Sequence, residues 1–303
     1  MIRIETSAEL REVLGRFRAD GRTIGFVPTM GYLHEGHLAL CDAANAAADV
    51  VVMSIFVNPL QFGEGEDLDR YPRDLERDAS LAAGRDVDIL FTPDAGEIYP
   101  HGPVAVRVRA PGLEDRLCGA FRPGHFEGVL TVVAKLFNIV RPDVAVFGQK
   151  DLQQAALIRR MAQDLNFPVA IEIAPVVREP DGLALSSRNV YLSPAERASA
   201  LALSRALAAA QAAFAAGQVE AGAVVAAARA TLDAVPGVEV QYVELVDTQT
   251  LDTPAQARVG DAVAVAAFVG ATRLIDNHVL DHSDNQVPWH DGDRAAGQSR
   301  EPS

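Results

Sequence analysis

The chain has 303 residues, 49% of them hydrophobic and 22% charged, which excludes a mostly disordered polymer and predicts about two domains. Twenty-seven Lys+Arg against 41 Asp+Glu leave a formal charge of −14, the wrong sign for a nucleic-acid groove or an anionic membrane surface as the main partner. Cys41 and Cys118 are too few for a secreted disulfide framework, the charged start has no apolar export segment, and no apolar stretch stands out as a membrane span, so the expectation is a cytoplasmic protein.

Thr6 and Glu9 form a capping-box pattern ahead of a helical spacing through Leu10, Val13, Leu14 and Phe17, which Gly21 ends. Ile24–Val27 reads as a buried strand, 35–47 as a helix and 50–57 as a second, β-branched strand. A helix over 74–83 and a strand over 88–91 follow; then come a helix over 126–140, a strand over 144–147, a helix over 152–165 and a strand over 169–173. Strands alternating with helices predict βαβ units and a Rossmann-like, doubly wound parallel sheet over residues 1–177. From 178 to 280 the character changes to a smaller α+β domain. Ser193, Pro194 and Glu196 open a long alanine-rich helix that Gly217 breaks, a second helix reaches Ala234, and the runs 238–246 and 262–269 read as strands. The acidic, polar end, 281–303, reads as a disordered tail holding Trp289, the only tryptophan.

Ligands of open parallel sheets bind beyond the carboxyl ends of the strands, and four unusual loops fall there. The first, Met30-Gly31-Tyr32-Leu33-His34-Glu35-Gly36-His37, sets two imidazoles three residues apart in the first turn of a helix. Both can donate to phosphate oxygens there, and the glycine lets a ligand approach the backbone; the plainer reading is a pair of capping or surface histidines. A zinc site is disfavoured, because the His-Glu-x-x-His spacing is one residue short. The second loop carries Gln61; the third is Gly148-Gln149-Lys150-Asp151, with Gln154 just beyond; the fourth holds Val177 and then Leu185-Ser186-Ser187-Arg188. Lys150 and Lys135 are the only lysines among the 27 basic residues, so each raises the question of why arginine would not serve. A lysine at a helix start and an arginine beside two serines suit phosphate oxygens, yet a solvated lysine and a serine cap would look the same.

These segments, together with 56–62 and Arg122-Pro123-Gly124-His125-Phe126, resemble in order and spacing the pantothenate synthetases, or pantoate–β-alanine ligases, from the N-terminus to about residue 280. The resemblance implies a nucleotidyltransferase-superfamily ligase with the His-x-Gly-His signature, joining pantoate to β-alanine through pantoyl adenylate and releasing AMP and diphosphate. It implies catalytic roles for His34, His37, Lys150 and Arg188, His37 being the family's proton donor, although both rings could act simply as hydrogen-bond donors. Residues 30–37, 148–151, Val177 and 185–188 would line the ATP site, Gln61 and Gln154 would bind pantoate, and Gln61 β-alanine as well. The implied small molecules are pantoate, β-alanine and ATP with Mg²⁺, without an organic cofactor, and the implied assembly is a homodimer. The family's acidic pair associated with metal reads Glu76-Arg77-Asp78 here, so no protein ligand for Mg²⁺ is named. Since the adenylate hydrolyses easily, the smaller domain or a loop is expected to close over it. A nucleotidyltransferase that stops after nucleotide transfer, or a non-catalytic nucleotide-binding module, would share the His-x-Gly-His loop.

Overall fold

The computed structural model describes residues 1–102 and 104–281; residues 282–303, and with them Trp289 and nearly all of the expected tail, lie outside the described residues. Six strands, β1 (Ile2–Ile4), β2 (Ile24–Thr29), β3 (Val50–Ile55), β4 (Ile89–Phe91), β5 (Val144–Gly148) and β6 (Ala170–Ala174), pair in parallel in the order β1-β4-β3-β2-β5-β6. The helices of this part are α1 (Ser7–Ala19), α2 (Glu35–Ala47), α3 (Leu75–Ala83), α4 (Ala95–Ile98), α5 (Leu117–Phe121), α6 (His125–Val140) and α7 (Leu152–Asp164). Successive strand residues point to opposite faces, so both faces must be covered. Ile24, Phe26, Val50, Val52 and Phe91 pack with α1, α6 and α7, while Val27, Val51, Met53 and Val146 pack with α2 and α3. The strand order reverses between β2 and β5, and that crevice is where a doubly wound sheet takes its ligand.

The C-terminal part consists of α8 (Pro194–Ala215), α9 (Ala221–Asp233) and an antiparallel sheet of β7 (Val238–Val246), β8 (Ala262–Val269) and β9 (Thr272–Val279). Its sheet is buried on both faces. Tyr242, Val246, Ala262, Ala264 and Ala266 join the core of the larger domain, while Val243, Leu245, Val263, Val265 and Ala267 pack under α8 and α9.

Several features depart from the sequence expectations. β1 and β9 were not expected: β1 is only three residues long, and β9 carries two adjacent buried polar residues, Asp276 and Asn277, that break its alternation. β2 continues through Pro28 to Thr29, past Phe26, where its pairing with β5 stops. Asp281, assigned to the tail from sequence, is buried, and its backbone carbonyl accepts a hydrogen bond from Gln211 at 2.9 Å. The 22-residue α8 is long and apolar enough, by length and composition alone, to cross a membrane. Its apolar character comes largely from alanine, and Ala200, Leu203, Ala206, Leu207, Ala210 and Phe214 bury one face in the second core.

Candidate active site

At the β2–β5 crevice lies a cavity of about 240 Å³. The loops after β2, β3, β5 and β6 converge on it: Met30, His34, Gly36, His37, Gln61, Gly148, Lys150, Asp151, Gln154, Val177 and Leu185–Arg188 all line it. The remaining residues of the expected set lie elsewhere. Leu33 is fully buried in the core under α2, Glu35 is exposed and pairs with Arg85 at 2.6 Å, and Gln149 turns towards β9. Gly31 and Tyr32 shape the turn rather than the wall, with positive φ at both, and Arg77 stacks on the Tyr32 ring.

The two imidazoles cap α2, so the plain and the functional readings describe the same pair. His34 Nδ1 accepts from the Gly36 N–H at 3.2 Å, and His37 Nδ1 accepts from the His34 N–H at 3.3 Å. An Nδ1 that accepts a hydrogen bond leaves the proton of a neutral ring on Nε2, so both rings keep Nε2–H as a free donor. Burial, reinforced by the Lys150 charge, lowers the His34 pKa to about 4. Burial and then His34 push His37 well below its usual range as well. With no phosphate anion beside them, both rings therefore present neutral hydrogen-bond donors at pH 7. Gly36 serves this arrangement directly: a Cβ there would stand 2.9 Å from the His34 ring, so the glycine makes room for the imidazole itself.

The turn that aims these histidines is fastened from α3. Asp78, buried at 1% exposure, accepts the N–H groups of Tyr32 at 2.6 Å and Leu33 at 2.8 Å. Burial raises its carboxyl pKa against the opposing pull of those two donors. Both carboxylate oxygens are thus spent on the backbone, and among the described residues no three His, Cys, Asp or Glu side chains converge as a metal site.

Gln61 is held just as firmly. Its carbonyl accepts from Asn58 Nδ2 at 3.0 Å, its amide donates to Met30 Sδ at 3.2 Å, and Tyr99 donates to Asn58 Oδ1 at 2.7 Å. His125 Nδ1 meets the Gln61 backbone carbonyl at 2.8 Å while its Nε2 faces Arg122 at 3.0 Å, which places its proton on Nδ1. The turn of 59–61 lies so close to α6 that a Cβ on Gly128 would meet the Leu60 carbonyl oxygen at 2.4 Å; only glycine fits. Val129, Val132, Val133 and Leu136 of α6 give the same cavity an apolar wall.

Lys150 is set in place from the C-terminal sheet. Asn277, 1% exposed, donates from Nδ2 to the carbonyls of Gln149 at 2.9 Å and Lys150 at 3.0 Å, and its Oδ1 accepts from the Gln149 amide at 3.2 Å. Beside it Asp276 takes Arg178 in a two-bond pair at 2.6 and 2.9 Å. Sequence reasoning gave no role to Tyr99, Asp276 or Asn277; it met Asn58, Arg122 and His125 only as parts of the segments that carry the family resemblance, and Asp78 only in the 76–78 stretch associated with metal. A signal existed for Asp276-Asn277 too, a polar pair inside an otherwise strand-like run.

A doubly wound sheet whose switch point gathers two neutral imidazole donors, a lysine and a Ser-Ser-Arg loop defines an α/β enzyme built to hold a nucleotide's phosphates. Comparison with known proteins narrows the class. The sequence model of the Pantoate-beta-alanine ligase family matches residues 2–279, and the chain belongs to that family. It is 56% identical over 279 residues to pantothenate synthetase 1 of Bradyrhizobium diazoefficiens, covering 91% of this chain and 97% of that one. The crystal structure of pantothenate synthetase from Thermus thermophilus superposes with a TM-score of 0.87 at 49% identity, over 91% of this chain and 98% of that one. The pantoate-beta-alanine ligase of Francisella tularensis, complexed with beta-gamma ATP and beta-alanine, follows at 0.76 and 33% identity, covering 92% and 97%.

Proposed function

We propose that the chain condenses pantoate with β-alanine in two steps, spending ATP to AMP and diphosphate. The observation that carries this reading is the convergence of His34, His37, Gln61, Lys150 and Gln154 on one cavity at the switch point of the sheet. The ATP and β-alanine bound by the Francisella relative support the same substrates here.

A carboxylate acylates amines poorly because its leaving group would be an oxide. In the first step the pantoate carboxylate oxygen attacks the α-phosphorus of ATP, and the bond to the diphosphate breaks on the opposite side. The Nε2–H groups of His34 and His37 stabilise charge growing on the α-phosphate, acting as hydrogen-bond donors. Lys150, Ser186, Ser187 and Arg188 hold the outer phosphates. Mg²⁺ enters as a companion of ATP. Gln61 and Gln154 orient pantoate, whose branched carbon skeleton lies along the apolar wall of α6. In the second step the free amine of β-alanine attacks the acyl carbon and AMP leaves. No enzyme nucleophile is needed; catalysis is alignment and charge stabilisation.

The reading extends to a homodimer in the cytoplasm. Family resemblance supports the first, and the two free cysteines fit a reducing compartment. Exchange of labelled diphosphate into ATP tests the chemistry. The exchange is expected only with pantoate present, and AMP only after β-alanine is added; exchange without pantoate would favour a simple nucleotidyltransferase.

A further inference from the structure

Arg122 and Arg188 line a second cavity of about 490 Å³ as well as the first, and Arg70 and Arg273 complete its rim of cations. Four arginines around one cleft stand out in a chain of net charge −14. The cleft lies between the 63–70 segment, the end of α5 and the start of β9. Among the described residues, Arg70 and Arg273 have no carboxylate partner within ion-pair distance, and the Arg273 guanidinium donates hydrogen bonds to Gln241 and Cys118. The acids facing the cleft are Glu66, Asp67 and Glu196, the last already engaged in capping α8 at Ser193.

The chain fills two of these cations itself. Glu66 takes Arg122 through two hydrogen bonds of 2.7 and 2.6 Å, and the next residue, Asp67, takes Arg188 through two of 3.0 and 2.9 Å. Two adjacent anionic groups, one on each guanidinium, are also what an inorganic diphosphate offers. The segment that delivers them, Gly63-Glu64-Gly65-Glu66-Asp67, has glycines on two of its five positions and a left-handed φ of 81° at Gly65. In-line displacement sends the leaving diphosphate away from the attacking carboxylate, and Arg122 and Arg188 line both cavities.

We propose that the second cavity is a binding site for the departing inorganic diphosphate, with Arg273 as one of its ligands, and that Glu66 and Asp67 compete with the diphosphate for Arg122 and Arg188 and so drive it out. The site rests on the adenylate-forming reading of the neighbouring cavity and names its product-release path. The competition assigns opposite signs to two sets of variants, which a structural effect does not mimic.

The test titrates inorganic diphosphate with Mg²⁺ into the full chain by calorimetry and measures diphosphate inhibition of the complete reaction. Arg273→Gln is expected to weaken diphosphate binding and inhibition about tenfold, the worth of one charge-assisted contact, with Arg273→Lys recovering most of it. The Glu66→Gln/Asp67→Asn double variant is expected to tighten both about tenfold, because the internal competitor is gone. AMP, which lacks the diphosphate, should bind all of these chains equally. Unchanged diphosphate affinity in both sets, or movement in the same direction, overturns the proposal. Loss of pantoate dependence in the wild-type exchange would instead overturn the reading beneath it, so the two failures are distinguishable.

Discussion

The parallel sheet and the three-stranded sheet contribute to one site by different means. The first offers loop residues at strand ends, where backbone N–H groups and open space already favour an anion; the second offers side chains from within a strand, each one buried. His34 and His37 line the cavity, whereas Asn277 lies behind it and acts through the carbonyls of Gln149 and Lys150. The difference shows that the C-terminal domain is part of this cavity's scaffold. Its β9 is clamped to the larger domain by Asn277, which Asp276–Arg178 braces from the segment after β6, so a closing lid is better sought in the 63–70 segment than in a swing of the whole domain.

The sharpest way to break this comparison is to cut the clamp. Arg178→Leu leaves Asp276 buried without its ion, and the stability of the folded chain should fall by about 3 kcal/mol, read from urea or thermal unfolding. A loss below a few tenths would mean the clamp is idle. His37→Ala, beside the parallel sheet, should cost only about 1 kcal/mol in unfolding, the worth of a helix cap, and lower turnover by about 10²–10³, the usual worth of one transition-state donor. Asn277→Ala should lie between the two, raising KM for ATP about tenfold with a smaller change in kcat, because Lys150 is displaced rather than removed. If Asn277→Ala alters only the melting temperature, its role is structural.

Acid offers a subtler comparison. His34 and His125 titrate at about 4 when folded, and His37 and His278 are also lowered, while all four would take a proton near 6.5 when unfolded. The unfolded chain therefore binds more protons between pH 4 and 6.5, and stability should decline as pH falls through that window. The rate of adenylate formation should show no titration near 6.5; a loss of rate as pH rises through that value would mean that a histidine works as the cation. The smallest effect is expected from removing 282–303, which the family match does not reach: turnover should be unaltered, provided Asp281 and its contact to Gln211 are kept.

Much of the larger domain was legible because its periodicities are long and its glycines fall at strand ends. The loops of 30–37, 148–151 and 185–188 announced themselves by residue type at positions where sheets bind ligands. What stayed hidden depends on contacts distant in sequence. Asp78 looks like any acid on an amphipathic helix until α3 packs against the Tyr32–Leu33 turn 45 residues upstream of it. Asn277 spoils the alternation of β9 because its partners are 127 and 128 residues away. β1, at three residues, is too short for any period to register, and it is defined by its pairing with β4.

The chemistry turns on which oxygen of which molecule attacks phosphorus. Pantoate labelled with ¹⁸O in its carboxylate, turned over with ATP and β-alanine, measures this directly. One labelled oxygen is expected in the AMP, left there when the amine displaces the adenylate. Label in the phosphate or diphosphate fraction with unlabelled AMP would contradict the adenylate route.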